Sequence, residues 1–300
     1  MYLSKSFLGL ASMAALAGCD TDGDPNSKTV YINVPAMTIS GAFSLNGGSF
    51  PASQYEHGII SLADSNGNEA QLGKTYSVSY QTEVVAGNYR TQYRHVYGGA
   101  QVPVNRGNEI EAGFSLLEDQ SLDINATAFQ AQFTFTLNGA PFPVSEYDDA
   151  LFYLQPQDGG ERILLGNSYD GSGTVRVIPD TYTVVYEHVT GNQVPGNKHA
   201  TILSGVVVSD TTALPINLEA TQINPSFTLN GFPFPATLNE HALFVMQTTD
   251  MGNEVFLGRS FLSPTTLFAL NGSYDVFYEY INGATIPVND RARIRNLTLP

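Results

Sequence analysis

Phe135-Thr136-Leu137-Asn138-Gly139-Ala140-Pro141-Phe142-Pro143 reads as a strand running into a tight turn. Phe135 and Leu137 face one way and Thr136 the other, the alternation of a half-buried strand. Asn-Gly then supplies two residues that tolerate a positive φ, which a two-residue hairpin demands. The stretch recurs as FSLNGGSFP at Phe43–Pro51 and FTLNGFPFP at Phe227–Pro235, so Asn46, Asn138 and Asn230 are each 92 residues apart. The same interval links Ile32, Ile124 and Ile216, then Asn105, Asn197 and Asn289. A shared period of that length marks one structural unit copied in tandem, each copy long enough to own a core.

Working outward, each copy shows the same series of strand signals. A short strand is expected to open each unit: YINV at Tyr31, LDIN at Leu122 and LPIN at Leu214. After the hairpin comes a segment apolar on both faces (Ile59–Leu62, Leu151–Leu154, Leu243–Met246), as a central strand covered on both sides requires. A turn built on Asp and Gly follows: Asp64 with Gly67, Asp158 with Gly159, Asp250 with Gly252. The next diagnostic strand begins at Tyr89, Tyr182 and Tyr274. Tyr182, Val184, Tyr186 and His188 line one face of the middle copy, whereas Arg90, Gln92 and Arg94 mark the solvent face of the first. The leading Tyr has the position of a tyrosine corner, whose hydroxyl bonds backbone upstream. A Val-Pro or Ile-Pro turn closes each hairpin at Pro103, Pro195 and Pro287.

About seven short strands per copy, split by turn residues and with no amphipathic helix, predict an all-β protein. The expected architecture is three tandem Ig-like or transthyretin-like β-sandwich domains at 29–116, 117–208 and 209–300. They follow a signal peptide at 1–18 and an acidic tether at 19–28. The LNGxxFP opening and the Tyr-x-V-x-Tyr strand resemble tandem transthyretin-like or carboxypeptidase-regulatory-like repeats of bacterial surface proteins. The Phe-Pro step and the Val-Pro-x-Asn turn are not general marks of that family, so strand order stays open.

Met1–Ala17 has the form of an export signal: Lys5, an apolar run over Phe7–Leu16, then small residues. The run is too short to span a bilayer as a helix. It ends at Leu16-Ala17-Gly18-Cys19, which resembles the bacterial lipobox, and Cys19 is the only cysteine of the chain. That resemblance implies cleavage before Cys19, lipidation on it, and a membrane as partner through the lipid. Each buried methylene adds about 0.8 kcal/mol, so several acyl chains anchor firmly without a spanning helix. The implied location is a bacterial cell envelope. In enterobacterial lipoproteins Asp20 resembles an inner-membrane retention signal, and other bacteria sort differently, so the choice of membrane stays open.

The chain carries 28 acids against 13 Lys and Arg, a net charge of −15. That field repels nucleic acid and anionic lipid headgroups. A single Cys leaves no disulfide framework and no Cys-based metal site. Asp20, Asp22 and Asp24 open like a calcium loop, but the twelfth position from Asp20 is Tyr31, where a bidentate Glu belongs. Five His are present. His57 and His241 are repeat equivalents with Asp149 between them, and His95 and His188 are equivalents with Tyr280 as the third; His199 stands alone. No copy holds a zinc-ligating set, and the His-to-Tyr exchange suits a packed ring.

No nucleophile elbow, P-loop or dinucleotide fingerprint occurs. Acids recur at Glu56, Asp148 and Glu240, with Glu69, Glu161 and Glu254 further on. Solubilising loop acids repeat easily, whereas a catalytic carboxylate pair is needed only once. The expectation is therefore no enzyme, no cofactor and no metal. The chain reads as a non-catalytic, lipid-anchored envelope scaffold or ligand-display module for an envelope protein. The alternative is a carbohydrate- or calcium-binding module of a polysaccharide system, with Tyr55, Tyr97 or Tyr147 as a stacking platform.

Overall fold

Alternating apolar residues and turn chemistry fold this chain almost wholly into strands. The computed structural model describes residues 30, 32–157, 159–249 and 252–300. The export segment, Cys19, the acidic stretch 20–27, Asp158 and Asp250 lie outside the described residues. The chain divides into a short N-terminal piece, Met1–Pro35, and one body, Ala36–Pro300. Among the described residues the only helical turns are two short 3-10 segments, Thr75–Ser77 and Ser168–Asp170, and no helix is long and apolar enough to cross a membrane.

The body is an all-β sandwich structure. In the first repeat the central strand His57–Ala63 pairs antiparallel with Glu69–Lys74 on one side and Gly87–Tyr97 on the other, and Arg106–Leu116 completes the sheet. The same four-stranded order recurs as Ile163–Asn167, Asp149–Pro156, Asp180–Thr190, Ala200–Val208, and again as Glu254–Arg259, His241–Thr248, Gly272–Asn282, Ala292–Leu299. Burial on both faces explains why the middle of each central strand is mostly apolar. Facing each of the first two sheets is a second one, built on Ala36–Leu45 with Ser79–Val85, and on Phe129–Leu137 with Ser172–Val177. The third repeat pairs only a shorter Ala220–Ile223 with Leu267–Leu270.

Buried side chains of the described residues gather into three clusters that follow the repeat. Their centres are aromatic. Phe135 stacks on Phe152 with centroids 3.9 Å apart, and Phe227 on Phe244 at 4.1 Å. Burying such a ring contributes roughly 1.5–3 kcal/mol. The Asn-Gly turns are two-residue hairpins with Asn46, Asn138 and Asn230 at φ 53°, 52° and 53°, the left-handed region that Asn tolerates. The Tyr corners form as expected: the hydroxyls of Tyr89, Tyr182 and Tyr274 donate to the carbonyls of Val85, Ile178 and Leu270 at 2.6, 2.5 and 2.7 Å.

The structure differs from expectation at the short strands thought to open each repeat. Ile124–Ala126 runs parallel to Phe43–Leu45 of the first repeat, and Thr212–Leu218 runs parallel to Ala131–Leu137 of the second. Ile124 is fully buried in the first cluster, and Leu214, Ile216 and Leu218 in the second. These strands therefore close the preceding sandwich. Sequence spacing alone fixes their period but not which neighbour buries them. The turn Asn then locks each closing strand. Asn46 takes the N–H of Ala128 on its side-chain oxygen at 2.8 Å and donates its amide to the Ala128 carbonyl at 2.9 Å; Asn138 does the same with Ala220.

A second contact joins successive repeats. Asn105, fully buried, accepts the N–H of Ile178 at 2.8 Å and donates to the Tyr182 hydroxyl at 2.9 Å. Asn197 repeats this with Leu270 at 2.8 Å and Tyr274 at 3.0 Å. The Pro-x-Asn turn of one repeat thus reads the tyrosine corner of the next. Asn289, the third member, is exposed. Replacing Asn105 or Asn197 by Ala leaves a buried N–H and hydroxyl short of partners, which costs about 1–3 kcal/mol each. Asn289→Ala should lie close to zero. Denaturant unfolding of the three variants checks this, and equal losses at all three sites would contradict it.

Candidate binding loops

Each repeat ends the Phe-Pro step by burying its Phe and exposing the next few residues. Phe50, Phe142 and Phe234 are buried, and a tight turn follows in which Glu56, Asp148 and Glu240 donate their N–H to Ser53, Ser145 and Thr237. The three acids then reach across to a second loop. Glu56 accepts the N–H groups of Gly99 and Gln101 at 3.1 and 3.3 Å. Asp148 accepts those of Asn192 and Gln193, both at 3.0 Å. Glu240 accepts those of Ala284 and Thr285, also at 3.0 Å, and the Thr285 hydroxyl at 2.9 Å. The receiving loop needs Gly98, Gly191 or Gly283 at positive φ, because a Cβ there would collide with the incoming carboxylate.

These acids are therefore staples between two loops, and the repetition of the acid records the repetition of the staple. The backbone N–H groups of Thr285 and Ala284 hold the Glu240 carboxyl below its ordinary range. Asp64 is likewise turned inward: its carboxylate accepts from the Asn66 and Asn68 N–H groups at 2.8 and 2.9 Å, and bonding to Asn68 lowers its pKa. Glu161 and Glu254 face Arg106 and Lys198 at 3.7 and 2.5 Å across the joints between repeats. Among the described residues no three His, Cys, Asp or Glu side chains converge to hold a metal ion.

Four of the five histidines pack or bond within the fold. The ring Nε2 of His95 and of His188 meets the carbonyls of Gly98 and Gly191 at 3.2 and 3.0 Å, and the Tyr280 hydroxyl meets that of Gly283 at 2.9 Å. One carbonyl in each stapled loop is thus served by whichever ring the copy carries. Burial lowers the His95 pKa. His57 and His241 are buried edge-on against Tyr76 and Phe261, both at 5.0 Å, while Asp149 in the middle copy is pushed up by burial and takes the Ser168 hydroxyl at 3.2 Å. His199 is exposed on the rim of a separate groove with Thr248 and Tyr274.

Large apolar side chains stand out among what the stapled loops display. Tyr55 and Tyr147 stand 72% and 76% exposed on the turn before the acid, and Tyr97 is 61% exposed where the second loop begins. Leu238 in the third copy occupies the same turn and is also exposed. Tyr55 and Tyr97 belong to one repeat, so a pair of rings is available there for stacking on a partner. The acid staple that holds them was missed in the sequence, although its signal was present: each acid lies 42 or 43 residues before a Gly that recurs with it.

No family model matches the chain, and no curated protein matches it. Solved structures similar to it include the TIE protein of Bacillus anthracis (8% identity, TM-score 0.24), covering 87% of this chain and 49% of that one. The chain therefore spans about half the length of that protein. A DUF3823 family protein of Parabacteroides merdae is 9% identical over 82% of this chain and 90% of its own, with a TM-score of 0.24. The shaft pilin spaA of Lactobacillus rhamnosus is 8% identical over 66% of this chain and 100% of its own, with a TM-score of 0.22.

Two acid-side effects follow from the loop geometry. The lowered pKa of Glu240 contributes stability above the ordinary carboxylate range, and that contribution is lost as pH falls through the folded-state value. Glu240→Gln should therefore flatten the fall in Tm between neutral and acid pH. His95, lowered by burial, destabilises the fold as pH drops below its ordinary value, because the unfolded chain takes the proton first. His95→Tyr, the residue of the third copy, should fold normally and remove that portion of the loss. Thermal melts over a pH series read both effects; unchanged pH slopes would refute them.

Proposed function

We propose that this protein is a non-catalytic, lipid-anchored envelope scaffold that displays loops to a protein partner. It consists of three tandem sandwiches over about 36–126, 128–218 and 220–300. The observation that carries the reading is the threefold acid staple: Glu56, Asp148 and Glu240 are committed to backbone N–H groups, and what they hold outward is Tyr and Leu. Chemistry needs a polar group left free for substrate, whereas display needs a loop held still. The lipobox resemblance at Leu16–Cys19 supports anchoring, and the acidic stretch 20–27 serves as the tether. Repetition of one loop pair along a chain raises effective concentration at a multivalent partner, so weak contacts add through avidity.

A second reading draws on Tyr55 and Tyr97, which could stack on a sugar ring in a polysaccharide system. Glycan-array binding with and without calcium separates the two, and sugar binding lost in Tyr55→Ala would favour this second reading. Fractionation tests the anchor: Cys19→Ala should move the protein out of the membrane fraction, and retention there would overturn lipidation. Crosslinking on intact cells from the loop holding Tyr147 should capture one recurrent envelope protein. Tyr147→Ala should reduce that capture several-fold, and capture indifferent to this substitution would count against display.

A further inference from the structure

A closing strand completes the first and second sandwiches, and among the described residues none lies on the third. In the first repeat Phe43, Ser44 and Leu45 pair in parallel with Ile124, Asn125 and Ala126. In the second, Phe135, Thr136 and Leu137 pair with Ile216, Asn217 and Leu218. The equivalent residues of the third repeat are Phe227, Thr228 and Leu229, and among the described residues no strand lies along that edge. The consequences are visible there. The opening strand is broken into Ala220–Ile223 and Thr228–Leu229. Phe227 is only half-buried, although Phe43 and Phe135 are each 2% exposed.

The edge remains competent to receive a strand. The N–H groups of Phe43 and Phe135 bond Val78 and Gly171, on the side away from the closing strand. Backbone groups alternate along a strand, so Pro225, two residues before Phe227, lacks its N–H on that same far side. Ser226 and Thr228 face the vacant side. At the observed junctions the turn Asn also donates its backbone N–H to the last residue of the closing strand, Asn46 to Ala126 and Asn138 to Leu218, both at 2.8 Å. Asn230 holds the same turn conformation and is exposed.

One segment of this chain carries the matching strand pattern. Ile32, Asn33, Val34 and Ala36 stand 92 residues before Ile124, Asn125, Ala126 and Ala128, and 184 before Ile216, Asn217, Leu218 and Ala220. Ile32 and Val34 are 81% and 58% exposed, whereas Ile124 and Ile216 are buried. We propose that the segment 32–34 of a second copy fills the open edge of the third sandwich, with Ile32 beside Phe227, Asn33 beside Thr228 and Val34 beside Leu229. Asn230 then locks Ala36 of the incoming chain as Asn46 locks Ala128. The arrangement needs only the fold and stands whether or not the display reading holds.

The rest of the joint is present on the same two faces. The exposed Asn289 turn meets the Tyr89 corner, as Asn105 meets Tyr182 within the chain. One mismatch opposes it: Arg106 and Lys198 each face an acid across the observed joints, whereas Asp290 follows Asn289 and Glu69 occupies the register of Glu254. Like charges at the rim keep the association weak and reversible. The contact is heterologous, so repetition gives an open row of copies.

Covalent trapping tests this. In a Cys19→Ala background, Asn33→Cys with Thr228→Cys places the chain's two thiols where Asn125 meets Ser44 and Asn217 meets Thr136 at 2.9 and 2.8 Å. Mild oxidation of the full chain should give a ladder of dimers, trimers and higher species on a non-reducing gel. Adding Ile32→Asp, a change at an exposed position that leaves each sandwich folded by circular dichroism, should reduce the ladder at least tenfold. Three results would overturn the proposal. They are the absence of any crosslink, a crosslinked monomer without a ladder (the chain filling its own edge), and a ladder that survives Ile32→Asp.

Discussion

The parallel closing strand is the contact on which the architecture depends. A sandwich whose last strand comes from the start of the next repeat cannot finish its core alone. Ile124 and Ala126 are fully buried beside Phe43 and Leu45, and Leu214, Ile216 and Leu218 are buried beside Phe133, Phe135 and Leu137. Burial of apolar side chains supplies the energy, and the side-chain amide of Asn46 or Asn138 supplies the register. A one-residue slip would turn Ile124 to solvent and Asn125 into the core, so the polar lock and the apolar pattern enforce the same alignment. Gly41 belongs to this contact as well, since a Cβ there would overlap the Leu122 carbonyl.

The second joint uses a buried polar group to similar effect. Asn105 and Asn197 are fully buried, and each finds partners for both ends of its amide. A buried amide costs energy unless it is satisfied, so the contact specifies one relative placement of neighbouring repeats and penalises others. The tyrosine hydroxyls do double duty. They fix the corner of their own repeat through the carbonyl four residues upstream and accept the amide of the preceding one. Among the described residues Tyr89 has only the first of these partners, and it is less buried than Tyr182 and Tyr274.

Much of this was legible in the residues themselves. The Asn-Gly hairpins, the doubly apolar central strands and the inward tyrosine rows all follow from local alternation and turn chemistry, and each formed where the pattern placed it. The exchange of His95 and His188 for Tyr280 was a sound sign of a structural ring, because all three reach the same loop carbonyl. The recurring acids were harder. Loop placement was readable for Glu56, Asp148 and Glu240, but their partners lie some 43 to 45 residues away, and no local pattern connects an acid to a backbone N–H at that distance.

The sequence by itself determined the period, the strand content and the turns, because these depend on neighbours within a few residues. Only the tertiary structure decided ownership: which repeat buries the Ile-Asn strand and which tyrosine corner the Pro-x-Asn turn reads. Periodicity is unchanged whether a strand closes the sandwich behind it or opens the one ahead. The choice rests on where Ile124 and Ile216 find an apolar surface and Asn46 and Asn138 find a backbone to lock, and those surfaces exist only once the sheets have formed.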